Sequence, residues 1–326
     1  MTLIEQRPVR TGSHRPDTAA VGADRARRRR RRQWIDRAIY TLALIASGVA
    51  SIWPVAATYN NDWQAWLHAQ DAVRSQETVP AADAAQFLAD ARAYNAALPP
   101  GLFSDPIGAQ PLDNPAYAAY EQLLGGSAGI MGTLRIPDIG VNLPIRHGTS
   151  DEVLGKGAGH VYGTSLPVGG VDTHAALSAH RGLPRLTAFD NLPDLQVGDH
   201  FFIETYGEKL AYQVSEITTV LPHEMDHLAR VEGADLVTLI TCTPYGINSH
   251  RVLVTGERVP WTEEVAAKDA SSFDWSIRDW MWPRIGAASL AVLILLFLVG
   301  RWITQDARRV GTRRGRRSPL RDGGVR

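Results

Sequence analysis

Thr238-Leu-Ile-Thr-Cys242-Thr-Pro-Tyr-Gly-Ile-Asn-Ser-His250-Arg251-Val-Leu-Val-Thr-Gly-Glu-Arg258 holds two apolar runs separated by a turn. The β-branched and aliphatic residues at 236–241 and 252–258 predict strands, and Pro244-Tyr-Gly246 predicts the turn. Cys242 falls at the end of the first strand, held rigidly but presented at a surface. Upstream, short β-rich runs recur at 132–136, 141–145, 174–178, 200–205 and 210–220, between Gly, Pro and Asp turn signals. Seven or eight such strands predict a mainly β fold, as a closed barrel or a sandwich. The chain contains no internal repeat and no G-x-G-x-x-G or Walker loop.

Ahead of the strands the pattern is helical. Asn60-Asn-Asp62 is a start signal, and Trp66, Leu67 and Val73 follow one helical face. Val79-Pro80 breaks that run, and an alanine-rich helix at 81–98 ends at Pro99-Pro-Gly101. A loop at 102–111 and a short helix at 114–124 complete this region.

The 326 residues are 44% hydrophobic, enough for a sizeable core. The formal net charge is zero, with 34 basic and 34 acidic residues, but arginine gathers at both ends. Arg25 and Arg27 to Arg32 form one run; Arg308, Arg309, Arg313, Arg314, Arg316 and Arg317 form the other. A single cysteine excludes an intramolecular disulfide and a multi-cysteine zinc site. Taken alone, such a cysteine is either a small buried hydrophobe or a nucleophile.

Residues 38–57 carry no charge. At about 1.5 Å per residue that run covers the hydrocarbon core of roughly 30 Å. Trp34 and Trp53 sit near its ends, as interfacial aromatics do. A second apolar run, 285–300, is bounded by Arg284 and Arg301, with Trp275, Trp280 and Trp282 as an outer aromatic belt. The first run is long for a cleaved signal peptide, so it reads as an anchor. Both arginine runs lie on the terminal side of a span. That predicts cytoplasmic termini, an outward-facing middle and the lipid bilayer as a partner. Nucleic acid is not an expected partner, since neither tail has interleaved aromatics or a fold of its own.

Three segments could carry chemistry. Cys242 is one, His180 in Leu177-Ser-Ala-His-Arg-Gly-Leu-Pro184 is the second, and Arg251 is the third. A thiol is the strongest neutral-pH nucleophile among side chains but is mostly protonated at its ordinary pKa of about 8.5. A histidine can take that proton and return it to a leaving amine. An arginine offers fixed donors to an oxyanion or a substrate carbonyl.

These segments resemble the sortases, and within them the class C, pilus-assembling type. The resemblance runs through Gly129-Ile-Met-Gly-Thr-Leu-Arg-Ile-Pro-Asp-Ile-Gly140, Leu143-Pro-Ile-Arg-His-Gly-Thr-Ser150 and Gly157-Ala-Gly-His-Val-Tyr-Gly-Thr-Ser-Leu-Pro-Val-Gly-Gly170. It continues through His180-Arg-Gly-Leu-Pro184 and is most specific at 238–251. It implies a sortase-type closed β-barrel with N-terminal helices and two transmembrane helices. It further implies Cys242 as nucleophile, His180 as acid/base, and Arg251 as substrate or oxyanion stabiliser. The donor would be a Leu-Pro-x-Thr-Gly-like sorting signal cut at Thr–Gly. The acceptor would be a lysine amine of a pilin subunit, at the membrane of a Gram-positive bacterium, with no cofactor or metal. Class C sortases also carry a lid with an Asp-Pro-aromatic motif. Asp105, Pro106 and Ile107 fall where it belongs, with Ile107 in place of the ring. Asp105 is then expected to pair with Arg251 and Ile107 to cover Cys242; the alternative is an ordinary surface turn.

The expected organisation is a cytoplasmic tail (1–37), a span (38–58) and a helical region (59–128) with the lid at 102–111. The β-barrel (129–259), a linker (260–283), a second span (284–303) and a basic tail (304–326) follow. Thr241 either positions substrate or fills a strand position. His147 and His160 read as structural, and His250 as facing away from Arg251's side of its strand. His223-Glu-Met-Asp-His227 has the spacing of a zinc helix but reads as a loop without a third ligand. Two rival functions are a sortase anchoring proteins to peptidoglycan and a non-catalytic membrane scaffold.

Overall fold

The computed structural model describes residues 18–99, 101, 105–109, 112–125, 129–182, 186–269, 273 and 276–315. Residues 102–104, 110 and 111 of the expected lid loop lie outside the described residues, as do Leu183, Pro184, Trp275, Arg316 and Arg317. The chain divides into two compact units, Pro54–Arg278 and the pair of stretches Met1–Trp53 with Asp279–Arg326.

Eight strands close a barrel in the order β1-β2-β3-β4-β7-β8-β6-β5. They are β1 Ile130–Ile136, β2 Val141–His147, β3 Ala158–His160, β4 Thr173–Ser178, β5 His200–Thr205, β6 Glu208–Val220, β7 Asp235–Thr243 and β8 His250–Val259. The barrel is thus the outcome between the two β architectures that the strand pattern left open. Closure leaves no exposed edge to template aggregation. Most neighbours are antiparallel, but β2·β3 and β4·β7 are parallel. β3 was missing from the expected strands: three residues, Ala158-Gly-His160, are too few to show alternation.

Alternation along the strands sorts side chains onto two faces. Val237 and Leu239 of β7 and Val252 and Val254 of β8 join the main core inside the barrel. Ile240 and Leu253 point outward into a second cluster with Val161, Ala176, Val220, Met225 and Leu228. This outer cluster lies under the Leu221–Arg230 loop, which carries a single 3-10 turn at Asp226–Leu228. His223 and His227 lie in this loop, and no group of three or more metal-ligating side chains occurs among the described residues.

Three helices add Ala65, Leu88, Ala91, Tyr117 and Tyr120 to the main core. α1 is Thr18–Glu77, α2 Ala81–Ala97 and α3 Pro115–Gln122, the last capped by the Asn114 side chain on Tyr117 N–H. The start expected at Asn60–Asp62 does not occur, because α1 runs through it. Continuing the helix satisfies those amides, and the Asp62 carboxylate, free of capping, accepts the Thr187 amide instead. Gln76 seals the end of α1: its amide donates to the Ile130 and Met131 carbonyls and its oxygen accepts Tyr206 N–H. Asn95 of α2 does the same for both backbone groups of Leu166.

The stretch expected as a linker is structured through Asp269. It holds α4's successor α5, Glu263–Lys268 (α4 being Asp151–Leu154), with Thr262 as its cap. Asp269 takes Arg135 Nε and Nη2 at 2.7 Å each, while Arg135 Nη1 reaches Glu204 at 2.8 Å. The Arg135 charge is buried, and a buried guanidinium demands such partners.

α1 and α6 (Trp282–Gly315) include two stretches long and apolar enough to cross a membrane. Ile39, Leu42, Ile45 and Val49 on one, and Leu293, Leu296 and Phe297 on the other, are exposed apolar side chains. Such surfaces are compatible with membrane anchoring. Arg37 Nη1 pairs with Asp306 at 2.8 Å beside Trp302.

Candidate active site

The site lies where β4, β7 and β8 run side by side. Parallel pairing sets Ser178 beside Ile240, and Ala179 N–H donates to the Ile240 carbonyl at 3.1 Å. Two residues further along each chain come His180 and Cys242. Cys242 in turn is the antiparallel partner of Arg251. Continued two residues past Ser178, that register sets His180 level with Cys242 and Arg251 across three neighbouring segments about 4.8 Å apart. All three fall on the outer face, in line with Ala176, Ile240 and Leu253.

Cys242 is only 4% exposed and Arg251 only 7%. A charged guanidinium at that depth needs satisfying. Arg251 Nη1 donates to the Asn248 and His250 carbonyls, both at 2.9 Å. Nε and Nη2 grip the Asp105 carboxylate at 2.9 and 2.5 Å. This two-pronged pair is the contact that the lid reading expects of Asp105. Pro106 is buried, the Ile107 amide caps the Asp105 oxygen at 3.2 Å, and Ala109 bridges to Thr149.

Thr241 fits the second of its two readings, a filled strand position. It is fully buried on the face opposite Cys242, and its hydroxyl donates to the Ala179 carbonyl at 2.9 Å. Adjacent strand residues point to opposite sides, so Thr241 ties β7 to the histidine segment rather than meeting substrate. His160 is buried, hydrogen-bonded to the Tyr120 hydroxyl and the Ser165 carbonyl, and His147 meets the Leu123 carbonyl. His250 bonds Ser249.

A sortase-domain family model matches residues 134–259. Sortase A of Bacillus anthracis is 25% identical over 153 residues, which is 47% of this chain and 71% of that protein. The crystal structure of sortase C-1 from Actinomyces oris is 49% identical, with a TM-score of 0.53, covering 55% of this chain and 99% of that one. The chain belongs to the sortase family. A pilus-related sortase C of Group B Streptococcus is 40% identical, with a TM-score of 0.54, over 59% of this chain and 97% of that one. With such neighbours, this sortase is of class C.

Electrostatics set the resting state of this sortase's site. Burial pushes the Cys242 thiol up; Arg251 and Arg181 pull it down, and Asp105 pushes it further up. Burial pushes His180 down, with Asp151 opposing. Both shifts favour a neutral thiol beside a neutral imidazole. Asp151 was absent from the expected site. It opens α4, with Ser150 as the cap, and its Oδ1 lies 3.6 Å from His180 Nε2. Arg181 was absent too, though it adjoins His180; its Nη1 reaches the Cys242 carbonyl at 3.5 Å and Thr243 Oγ1 at 3.3 Å.

Proposed function

We propose that this sortase is a membrane-anchored cysteine transpeptidase of pilus assembly. Cys242 Sγ attacks the threonine carbonyl of a Leu-Pro-x-Thr-Gly-like signal. His180 takes the thiol proton and passes it to the departing glycine amine. Arg251 donors stabilise the oxyanion of the tetrahedral intermediate, which collapses to a thioester on Cys242. A lysine amine of a pilin subunit then attacks the thioester. His180 removes the amine proton, the thiol leaves, and an isopeptide bond remains. The observation that carries this reading is the single level shared by His180, Cys242 and Arg251 on one face of three neighbouring chains. Asp105 occupies the Arg251 donors in the resting state, so the 105–107 lid must withdraw before substrate binds.

The pilus assignment is supported by solved relatives described as pilus-related or as informing pilin substrate specificity. Anchoring is supported by the two apolar helices and the arginine runs beyond them. In this reading both termini are cytoplasmic, and the catalytic domain, 129–259 with its helical region, faces outward from a Gram-positive cell membrane. The test is a competition. Full-length protein in vesicles is given a sorting-signal peptide with a lysine-bearing pilin domain and a peptidoglycan-type amine. The expected product is an isopeptide to the pilin lysine. Consumption of the peptidoglycan-type amine alone would contradict the pilus role.

A further inference from the structure

The turn leaving β4 is held by a carboxylate that the reaction above does not use. Asp190 Oδ1 accepts the Gly182 amide at 2.7 Å, and the Asp190 carbonyl accepts Arg181 Nε at 3.1 Å. Phe189 N–H donates to the His180 carbonyl at 3.1 Å. Three hydrogen bonds thus bracket 180–182. Gly182 takes a left-handed φ of 83°, which glycine adopts without steric cost. From this bracket Arg181 reaches across to the Cys242 carbonyl and lies over the Tyr245 ring, 5.6 Å from its centroid.

The strap that carries Asp190 is itself fixed. Leu186, Ala188, Phe189 and Leu192 are buried in the main core. The amide and hydroxyl of Thr187 both donate to Asp62 of α1, and Asp190 N–H closes onto the Thr187 carbonyl at 2.8 Å. Ala188 is held at a φ of +40°, a conformation that a non-glycine residue keeps only when its surroundings impose it. A carboxylate at this place is costly. Burial pushes Asp190 up to about 6; the Gly182 amide, Arg278 and Arg181 pull it down and Asp62 adds to the rise. The groups that Asp190 holds are those beside His180.

We infer that Asp190 is a positioning residue, which with Arg181 fixes His180 at the level of Cys242. The inference rests on the roles proposed above for Cys242 and His180. Misplacing a reacting group by about 1 Å costs on the order of a hundredfold in rate. The test uses full-length protein and cleavage of a sorting-signal peptide, with kcat expressed per Cys242 that can be alkylated. Asp190→Ala is expected to lower kcat about 10- to 100-fold with KM within about twofold. Asp190→Asn, whose amide oxygen can still accept the Gly182 N–H, is expected to recover most of kcat. Arg181→Met is expected to lower kcat in the same way, and the Arg181→Met/Asp190→Ala double variant to fall little further than either single one. Wild-type kcat in Asp190→Ala would overturn the inference, and so would an Asp190→Asn as impaired as Asp190→Ala. If Asp190→Ala does not fold, Arg181→Met decides: reduced kcat at unchanged KM supports the bracket, and unchanged kcat overturns it. The wild type is the control on the underlying reading. Absence of its thioester sinks the transpeptidase role; its presence with unaffected variants sinks this inference alone.

Discussion

At the scale of single residues, burial and a neighbouring carboxylate favour the neutral Cys242 thiol. Asp105 pairs with Arg251 and adds its negative charge to the burial that already raises the Cys242 thiol. Asp105→Ala removes one raising influence and frees a guanidinium that lowers the same pKa. The midpoint for alkylation of Cys242 should therefore move to lower pH. Each unit of that movement gives about ten times more thiolate in the range below the midpoint. Alkylation rates measured from pH 6 to 10 in both proteins check this, and an unmoved midpoint with an unchanged rate would contradict the restraint. Cys242, His180 and Arg251 stood out in the sequence because each lies at or just past a strand end with its own local motif. The partner of Arg251 was legible only through the family resemblance. Asp151, Arg181 and Asp190 were not singled out. Their contacts depend on how three loops fold against one another, and no spacing along the chain encodes that. Of the two readings of Thr241, its burial and its bond to the Ala179 carbonyl fit the strand position, on the face that strand parity sets opposite Cys242.

At the scale of elements, alternation revealed seven strands and Pro80 revealed the boundary between α1 and α2. β3 was invisible for want of length, and the false start at Asn60 came from reading a polar trio as a cap. The trio's carboxylate has a partner far along the chain, which a local rule cannot see. The α5 stretch was read as a linker for the same reason: Arg135 lies far upstream of the Asp269 that it holds. That contact makes a prediction at this scale. Arg135→Ala strands two carboxylates, Glu204 and Asp269, whose side chains are 6% and 12% exposed. Breaking a buried ion pair by removing one partner costs about 3–5 kcal/mol. Chemical denaturation of the full-length variant should show a loss of that order. An unchanged midpoint would mean that α5 is not held by this triad.

At the scale of the whole molecule, a chain of zero formal net charge carries arginine runs at both ends and two apolar helices beside them. Between these the chain closes an eight-stranded barrel whose outer face sets His180, Cys242 and Arg251 at one level. The barrel does this through its order: β4 and β7 are parallel neighbours, so two strand ends arrive together, and β8 starts beside them. The most direct measurement is mass spectrometry of the intact full-length protein after incubation with a sorting-signal peptide. The account predicts a mass gain equal to the acyl portion ending in threonine, located on Cys242, discharged by an added amine and abolished in Cys242→Ala. An adduct that survives in Cys242→Ala, or a folded wild type that forms none, would contradict the central claim that this thiol carries the acyl group.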